Sequence, residues 1–219
     1  MQPRIVSTLD GSHTLYYDEI DEHFHSTNGA IDESKHVYLN AGYDFCSVPH
    51  PVVFEAGFGT GLNALLTALR AGEKHRFTSY ITIEKYPLDK SIISSLNYPS
   101  LLGHEAAKLF TAIHETEWNT ETAVTEYFII RKINGDLHSL EPDFTADIIY
   151  YDAFAPSKQP DMWSRELMAK MAVMVPQGGV FVTYSARGEL KRTLRSLGFA
   201  VEMLAGARGK REMIRAVKI

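Results

Sequence analysis

With 219 residues, 45% of them hydrophobic, and a net charge of −5, the chain is long enough to bury the core of one large domain and too acidic overall for a generic nucleic-acid coat. The single cysteine, Cys46, excludes an internal disulfide framework and fits a reducing compartment. No stretch approaches the ~20 apolar residues of a membrane span, and residues 1–9 show no apolar run behind a basic cluster, so a cytoplasmic protein without membrane contact is expected. The charge is uneven: residues 187–219 hold nine Lys or Arg against three Glu, a local +6, and the preceding 186 residues carry −11. Such a basic end is either a solvated face or a phosphate-contacting patch.

Residues 1–20 predict a β-hairpin, with 4–9 as one strand, Asp10-Gly11-Ser12 as the turn and 13–17 as the return. Residues 1–45 precede the main glycine turn and are read as an N-terminal extension packed on a core domain of 46–219. His23, Phe24 and His25 lie in a polar, aromatic stretch, and 34–39 predicts a short helix. His23, His25 and His36 come with no cysteine or carboxylate at zinc spacing, so no metal is expected. Tyr16, Tyr17 and His25 are candidates to line a pocket, with burial in a small N-terminal layer as the alternative.

Residues 52–63 carry the strongest signal: a short β-rich run, then Gly57, Gly59 and Gly61 at alternate positions, then helix. A backbone that turns tightly there lets a ligand approach where a Cβ would clash, and the helix points free N–H groups at it. The dinucleotide fingerprint places its third glycine one position later. Glu55, two residues before the first glycine, suits a cationic ligand better than a pyrophosphate, so S-adenosylmethionine is the expected cofactor. A glycine-rich turn without a ligand is the alternative.

Residues 62–71 are apolar all round, as in a helix packed on a sheet. Residues 77–84 form the next strand and deliver Glu84 at its C-terminal end, where an acid accepts both ribose hydroxyls. Pro87 predicts a helix start running to about Leu96, residues 104–118 predict another helix, and 124–133 is one long β-prone segment. It ends at Asn134-Gly135-Asp136, and Asp136 is placed to hydrogen-bond an adenine amino group; a helix N-cap is the alternative for any single acid of this kind. Residues 146–151 are a buried strand delivering Asp152. A loop to Trp163 follows, containing Phe154, Pro156, Lys158 and Pro160, and Asp161 or Ser164 caps a helix reaching Val175. A strand at 180–185, a helix at 189–197 and strands at 201–204 and 211–217 complete the chain. The alternation predicts an α/β, Rossmann-like, doubly wound sheet of roughly seven strands, mostly parallel, with the last strands antiparallel.

Four stretches together resemble a known family: Glu55-Ala-Gly-Phe-Gly-Thr-Gly-Leu-Asn63, Glu84-Lys85-Tyr86-Pro87-Leu88, residues 152–163, and Lys210-Arg211-Glu212-Met213. Their order and spacing resemble the MnmC-type bacterial tRNA methyltransferases, which complete 5-methylaminomethyl-2-thiouridine at the wobble position. His25-Ser-x-x-Gly-Ala30 is similar to that family's N-terminal block, so the likeness covers nearly the whole chain. The resemblance implies a class I methyltransferase fold, S-adenosylmethionine as methyl donor, and an aminomethyl-uridine of the tRNA anticodon loop as acceptor. It implies that Glu55, Gly57, Gly59 and Gly61 hold the methionine end, Glu84 the ribose and Asp136 the adenine, with Asn63 and Lys85 in the same cofactor set. The resemblance also implies that Asp152 borders the cofactor and faces the acceptor amine. The implied acceptor side comprises Tyr16, His25, Phe154, Lys158, Tyr184, Lys210 and Arg211. Two departures stand out: Ala153 replaces a frequent glycine, and the best-known members continue into a flavin oxidase domain beyond the position of Ile219. The expectation is therefore an aminomethyl group supplied by a separate FAD-dependent oxidase.

Methyl transfer from a sulfonium to an amine is an in-line displacement that needs positioning and a neutral amine. A primary alkylamine resembles lysine, near ~10.4, and an aspartate titrates near ~3.9, so Asp152 is expected to attract and orient the amine rather than take its proton. The proton leaves through water or a tyrosine. Tyr16, Tyr17 and Tyr184 are candidates to line the pocket or stack on the base, and Lys158, Arg187, Lys210 and Arg211 to contact phosphates. The rival readings are a methyltransferase or aminopropyltransferase acting on a small amine, and a non-catalytic domain that binds RNA or a protein.

Overall fold

The computed structural model describes residues 3–219; Met1 and Gln2, part of the expected N-terminal extension, lie outside the described residues. An antiparallel hairpin comes first, β1 (Arg4–Ser7) and β2 (His13–Tyr17), and the two-residue strand β3 (Glu22–His23) pairs with β2 to make a small three-stranded sheet. Asp10 shapes the hairpin turn by accepting from the Ser12 N–H at 2.9 Å and from Thr8 Oγ1 at 2.6 Å. The short helix expected at 34–39 is longer. It begins as α1 (Ala30–Ser34) and continues as a π-helical segment, Lys35–Tyr43, where Asp44 N–H reaches back five residues to Leu39 O. Gly42 lets this segment lie on the sheet, because a Cβ there would meet Val182 and Tyr150 at 3.0 and 3.1 Å.

The central domain then alternates strand and helix. β4 (Val52–Ala56) runs into α2 (Leu62–Glu73), and β5 (Thr78–Glu84) leads to two short helices, α3 (Lys90–Ile93) and α4 (Tyr98–Leu102), before α5 (His104–Glu115). The single helix expected from Pro87 to Leu96 is thus corrected: Asp89 is still extended, and the chain leaves α3 so that Asn97 can clasp the hairpin. His13 N–H donates to Asn97 Oδ1 and Asn97 Nδ2 donates to Gly11 O, both at 2.8 Å. α5 stops at Glu115, short of Trp118, where buried Lys132 donates to the carbonyls of Ile113 and His114 at 2.9 and 3.0 Å.

The long β-prone segment is two strands, β6 (Glu121–Thr125) and β7 (Phe128–Asn134), an antiparallel pair turned at Glu126-Tyr127, where Tyr127 N–H donates to Thr125 Oγ1. β8 (Ile148–Tyr151), α6 (Arg165–Met174), β9 (Val180–Thr183), α7 (Gly188–Ser196), β10 (Phe199–Ala205) and β11 (Glu212–Lys218) follow. Ser164, not Asp161, caps α6 by accepting from Leu167 N–H.

The resulting sheet has eight strands, one more than expected, in the order β10-β11-β9-β8-β4-β5-β7-β6. The five central strands are parallel, and β6, β10 and β11 run antiparallel to their neighbours. Both faces are covered, so the inner strands are apolar throughout: Val53, Ile148, Tyr150 and Val182 face one buried cluster, Phe54, Ile149, Tyr151 and Phe181 the other. From β4 the chain winds outward through β5 and β7; β8 returns to the opposite flank of β4. This reversal opens a crevice beyond the carboxyl ends of β4 and β8, where Ala56 stands beside Tyr151. Among the described residues no helix is long and apolar enough to cross a membrane.

Candidate active site

A cavity of about 630 Å³ occupies that crevice. Its floor is the turn from β4 to α2, where Gly57, Gly59 and Gly61 all have positive φ. At Gly59 (φ 50°) a Cβ would stand 3.1 Å from Phe24, and at Gly61 (φ 72°) it would stand 2.8 Å from His114 Nε2, so both positions demand glycine twice over. Glu84 ties this turn to the end of β5, accepting from the Gly59 N–H at 3.1 Å and the Tyr86 N–H at 2.9 Å. Burial pushes its carboxyl up, against the pull of those N–H groups.

Glu84, Lys85 and Tyr86 line one side of the cavity, and Gly135, Asp136, Leu137 and His138 continue it past β7. Asp136 does cap a short 3-10 turn, accepting from His138 N–H at 2.9 Å, and it pairs with Lys85 Nζ at 2.9 Å. The Lys85 hydrogen bond, then the His138 N–H, hold its carboxyl well below the usual carboxylate range. The N-cap alternative and the lining position coexist in this residue. A cradle that only glycine permits, an acid at each of two strand ends and an apolar cavity of this size fit an adenosyl sulfonium.

Asp152 closes the other side. Only 9% of its side chain is exposed, and its two oxygens have separate partners: Tyr38 Oη donates to Oδ1 at 2.6 Å and Asn63 Nδ2 donates to Oδ2 at 2.9 Å. His25 Nδ1 lies 3.9 Å from Oδ2, and His25 Nε2 meets Thr60 Oγ1 at 3.1 Å. Burial pushes the Asp152 carboxyl up, opposed by His25 and these hydrogen bonds. Above it stand Tyr17, Phe24 and Phe154, with ring centroids 5.2–6.5 Å apart, Phe24 and Phe154 meeting edge to face at 5.2 Å.

The structure separates several residues that the sequence reading had grouped. His25, Gly57, Gly59, Asn63, Glu84, Lys85, Asp136, Asp152, Phe154 and Lys158 line the cavity, as does Tyr17. Glu55 does not: it is 1% exposed, one residue before the end of β4, with its side chain turned into the core. Gly61 lies under the start of α2 against His114. Tyr16 alternates with Tyr17 along β2, so it faces away and donates to Asp21 at 2.6 Å. Tyr184 sits behind the Asp152 loop and donates to Ala153 O at 2.9 Å, while Trp163 Nε1 donates to Phe154 O at 2.8 Å; these rings hold the loop rather than line the cavity.

Lys210 is a clasp between the β10-β11 turn and α1, pairing with Glu33 at 2.5 Å and lying 3.8 Å above the Tyr184 ring. Lys158 pairs with Asp21 at 3.0 Å. Arg211 and Arg187 are exposed outside the cavity. The three histidines considered for a metal are apart in role: His23 packs on Tyr16, His36 Nε2 meets Ala205 O at 2.7 Å, and His25 faces Asp152. Sequence reasoning missed Tyr38, whose hydroxyl meets an acid 114 positions away; a tyrosine in a helical run carries no local sign of that contact.

The sequence model of the S-adenosyl-L-methionine-dependent methyltransferase family matches residues 104–219. The tRNA 5-methylaminomethyl-2-thiouridine biosynthesis bifunctional protein MnmC of Magnetococcus marinus is 32% identical over 218 residues, covering 93% of this chain and 32% of that protein. Its namesake from Pseudoalteromonas atlantica is 33% identical over 224 residues, covering 90% and 31%. The chain spans about a third of the length of these curated relatives. Among solved structures, MNMC2 from Aquifex aeolicus superposes with a TM-score of 0.80 at 25% identity, covering 98% of this chain and 69% of that one. DesVI from Streptomyces venezuelae, at 11% identity and a TM-score of 0.51 over 86% of this chain and 92% of its own, shares the fold.

Proposed function

The chain belongs to the S-adenosyl-L-methionine-dependent methyltransferases, and from that premise we propose that it N-methylates the 5-aminomethyl group of a uridine, 2-thiolated or not, at the tRNA wobble position. The observation that carries the acceptor reading is Asp152: a nearly buried carboxylate at the crevice, held by two donors beside the glycine turn and roofed by three aromatic rings. A carboxylate so placed selects a cationic or amine acceptor, and the rings offer faces on which an extruded base stacks. The names of the curated relatives point to the same nucleoside.

The cofactor supplies a methyl group already activated on a sulfonium. With the cofactor bound, Glu84 would accept its ribose hydroxyls and the Asp136 side would hold its adenine end, both residues lining the cavity. Asp152 draws in the aminomethyl group and aims its nitrogen along the transfer axis. Tyr38 donates a hydrogen bond to Asp152 and, like Tyr17, has its hydroxyl held further in the neutral form by burial, so neither takes the amine proton. That proton leaves to water through the open side of the cavity before transfer. The supplier of the aminomethyl group, in the same proposal, is an FAD-dependent oxidase that removes a carboxymethyl group.

RNA is favoured over a small amine by four exposed arginines, Arg187, Arg192, Arg195 and Arg211, which form no ion pair among the described residues. The test is incubation with labelled cofactor and bulk tRNA lacking this modification, against a panel of small amines, followed by nucleoside analysis. Label in 5-methylaminomethyl-uridine, thiolated or not, is expected; label confined to a small amine overturns the acceptor assignment.

A further inference from the structure

Two side chains reach the acceptor end of the cavity from different elements, Asp152 from just beyond β8 and His25 from the turn after β3. The Asp152 carboxyl turns Oδ1 to Tyr38 and leaves Oδ2, which accepts from Asn63 at 2.9 Å, beside the imidazole of His25. His25 Nδ1 stands 3.9 Å from that oxygen. A ring N–H aimed at a carboxylate closes to about 2.7–2.9 Å, so a gap of this width is the spacing of two acceptors rather than of a donor and an acceptor.

His25 is held on its other sides. Its N–H donates to Thr14 Oγ1 at 2.9 Å, and Thr14 Oγ1 donates to His25 O at 3.2 Å, so β2 fixes the backbone. The ring is fixed by Thr60, whose Oγ1 lies 3.1 Å from Nε2. Tyr98, buried beside Thr60, has one proton and gives it to His13 O at 2.8 Å, against 3.3 Å to Thr60, which leaves Thr60 Oγ1 a lone pair for the imidazole. An Nε2–H bound there puts the bare nitrogen at Nδ1, because the bond made by one ring nitrogen selects the tautomer. The His25 and Asp152 side chains are only 7% and 9% exposed, so a donor missing at either acceptor is not freely replaced by water.

We propose that Asp152 Oδ2 and His25 Nδ1 form a paired acceptor for the two N–H groups of a neutral primary amine, and that this pairing stops the reaction at one methyl group. The inference rests on the reading of Asp152 as the amine-orienting group. A nitrogen about 2.9 Å from both atoms spans the gap with an angle of roughly 85° between the two contacts, within reach of two N–H bonds of one amine. With both N–H groups held, the lone pair has one direction left, away from the pair and into the cavity. It forms the new N–C bond while the C–S bond breaks and leaves its electrons on sulfur. The product is a secondary ammonium that still has two N–H groups for the two acceptors.

A second transfer has no such fit. The ammonium must lose a proton and turn its lone pair to the same axis, so the first methyl takes the place of one N–H. It then lies against Asp152 Oδ2 or His25 Nδ1 and leaves a nearly buried acceptor without a donor. A site built to hydrogen-bond a substrate N–H rejects the analogue that lacks it.

The test uses two tRNAs, one with the 5-aminomethyl group and one with the 5-methylaminomethyl group, and three proteins: wild type, His25→Leu and His25→Asn. Leucine fills the space without an acceptor; asparagine returns an oxygen at the δ position. Nucleoside mass analysis reads the mono- and dimethylated products. Wild type is expected to methylate the primary amine at least about a hundredfold faster than the secondary one. His25→Leu should lose about tenfold or more on the primary amine, while that ratio narrows to within about tenfold and dimethylated nucleoside appears. His25→Asn should restore much of the ratio, with the cofactor Kd within about threefold of wild type in both variants. A Leu variant that keeps the wild-type ratio, or an Asn variant no better than Leu, overturns the proposal.

Nitrogen NMR of isotope-labelled histidine supplies an arm that needs neither acceptor nor cofactor. The His25 ring is expected to carry its proton on Nε2 at the assay pH, with Nδ1 bare; a proton on Nδ1 overturns the proposal. If label enters a small primary amine and not tRNA, the nucleoside reading fails, and the one-methyl limit is read on that amine with the same three proteins.

Discussion

At the scale of single residues the site is a set of carboxyl groups given different tasks by their surroundings. Glu84 and Asp136 accept from backbone N–H groups, Asp152 from a phenol and an amide, and Glu55 from a threonine in the core. Asp152→Ala is expected to lower kcat by roughly a hundredfold or more while the cofactor Kd stays within a few-fold; Glu84→Ala should raise the cofactor Kd and spare kcat at saturation. Calorimetry and single-turnover rates separate the two, and a common loss in both variants contradicts the division of roles. Tyr38→Phe removes the donor that favours ionised Asp152, so the acid limb of the rate profile should move to higher pH, with a loss of about tenfold at neutral pH. Glu55 also marks the stability curve. Its folded pKa of about 8 lies above that of an unfolded glutamate, so the native state binds the extra proton. Its contribution is full below the unfolded value near ~4.5 and is lost as pH rises to about 8. Glu55→Gln should therefore gain stability relative to wild type across that window, as read by denaturant midpoints at several pH values.

At the scale of elements, the N-terminal layer is the part that completes the cavity. β2 carries Tyr17, and the turn after β3 carries Phe24 and His25 over the glycine turn; the hairpin is pinned to the central domain by Asn97. Asn97→Ala deletes two hydrogen bonds at about 1 kcal/mol each and should raise KM for tRNA several-fold, with a smaller change in the cofactor Kd. Equal loss of both affinities contradicts this role of the layer. These elements differ in how far they could be read from sequence. The glycine turn, β5 and β8 were legible because each is a local pattern: an apolar run followed by glycine or an acid at a strand end. The split of residues 124–133 into β6 and β7 was not, since Glu126-Tyr127 lacks glycine, proline or asparagine and the turn is closed by a threonine side chain. Nor were the tasks of Lys210 and Tyr184 legible, because each is set by a partner far along the chain: Glu33, 177 residues away, and Ala153, 31 away.

At the scale of the whole molecule, charge is divided by sequence and by surface. Five acids, Glu19, Glu84, Asp136, Asp152 and Asp161, line the crevice, and Arg187, Arg192 and Arg195 are exposed at the start of α7 and along it. A protein that releases counterions from an RNA backbone shows kcat/KM falling with salt, with a log–log slope near −0.7 per single-strand phosphate contact. Methylation of tRNA should follow that law while cofactor binding does not, and Arg192→Ala with Arg195→Ala should flatten the slope by roughly one unit. A salt-independent kcat/KM favours a small amine acceptor.

The bond from Tyr38 to Asp152 has a consequence for how the protein is made. The two residues are 114 positions apart, and Gly42 in the same helical segment rests on Tyr150 and Val182. Translation delivers residues 30–43 first, with the surface that covers their apolar side still unmade. At synthesis speeds of about 5–20 residues per second the segment waits on the order of ten seconds before β8 leaves the ribosome. Over that interval Val37, Tyr38 and Leu39, all buried in the folded protein, lack the strands that cover them, and the Tyr38–Asp152 contact of the site forms only after β8 has emerged.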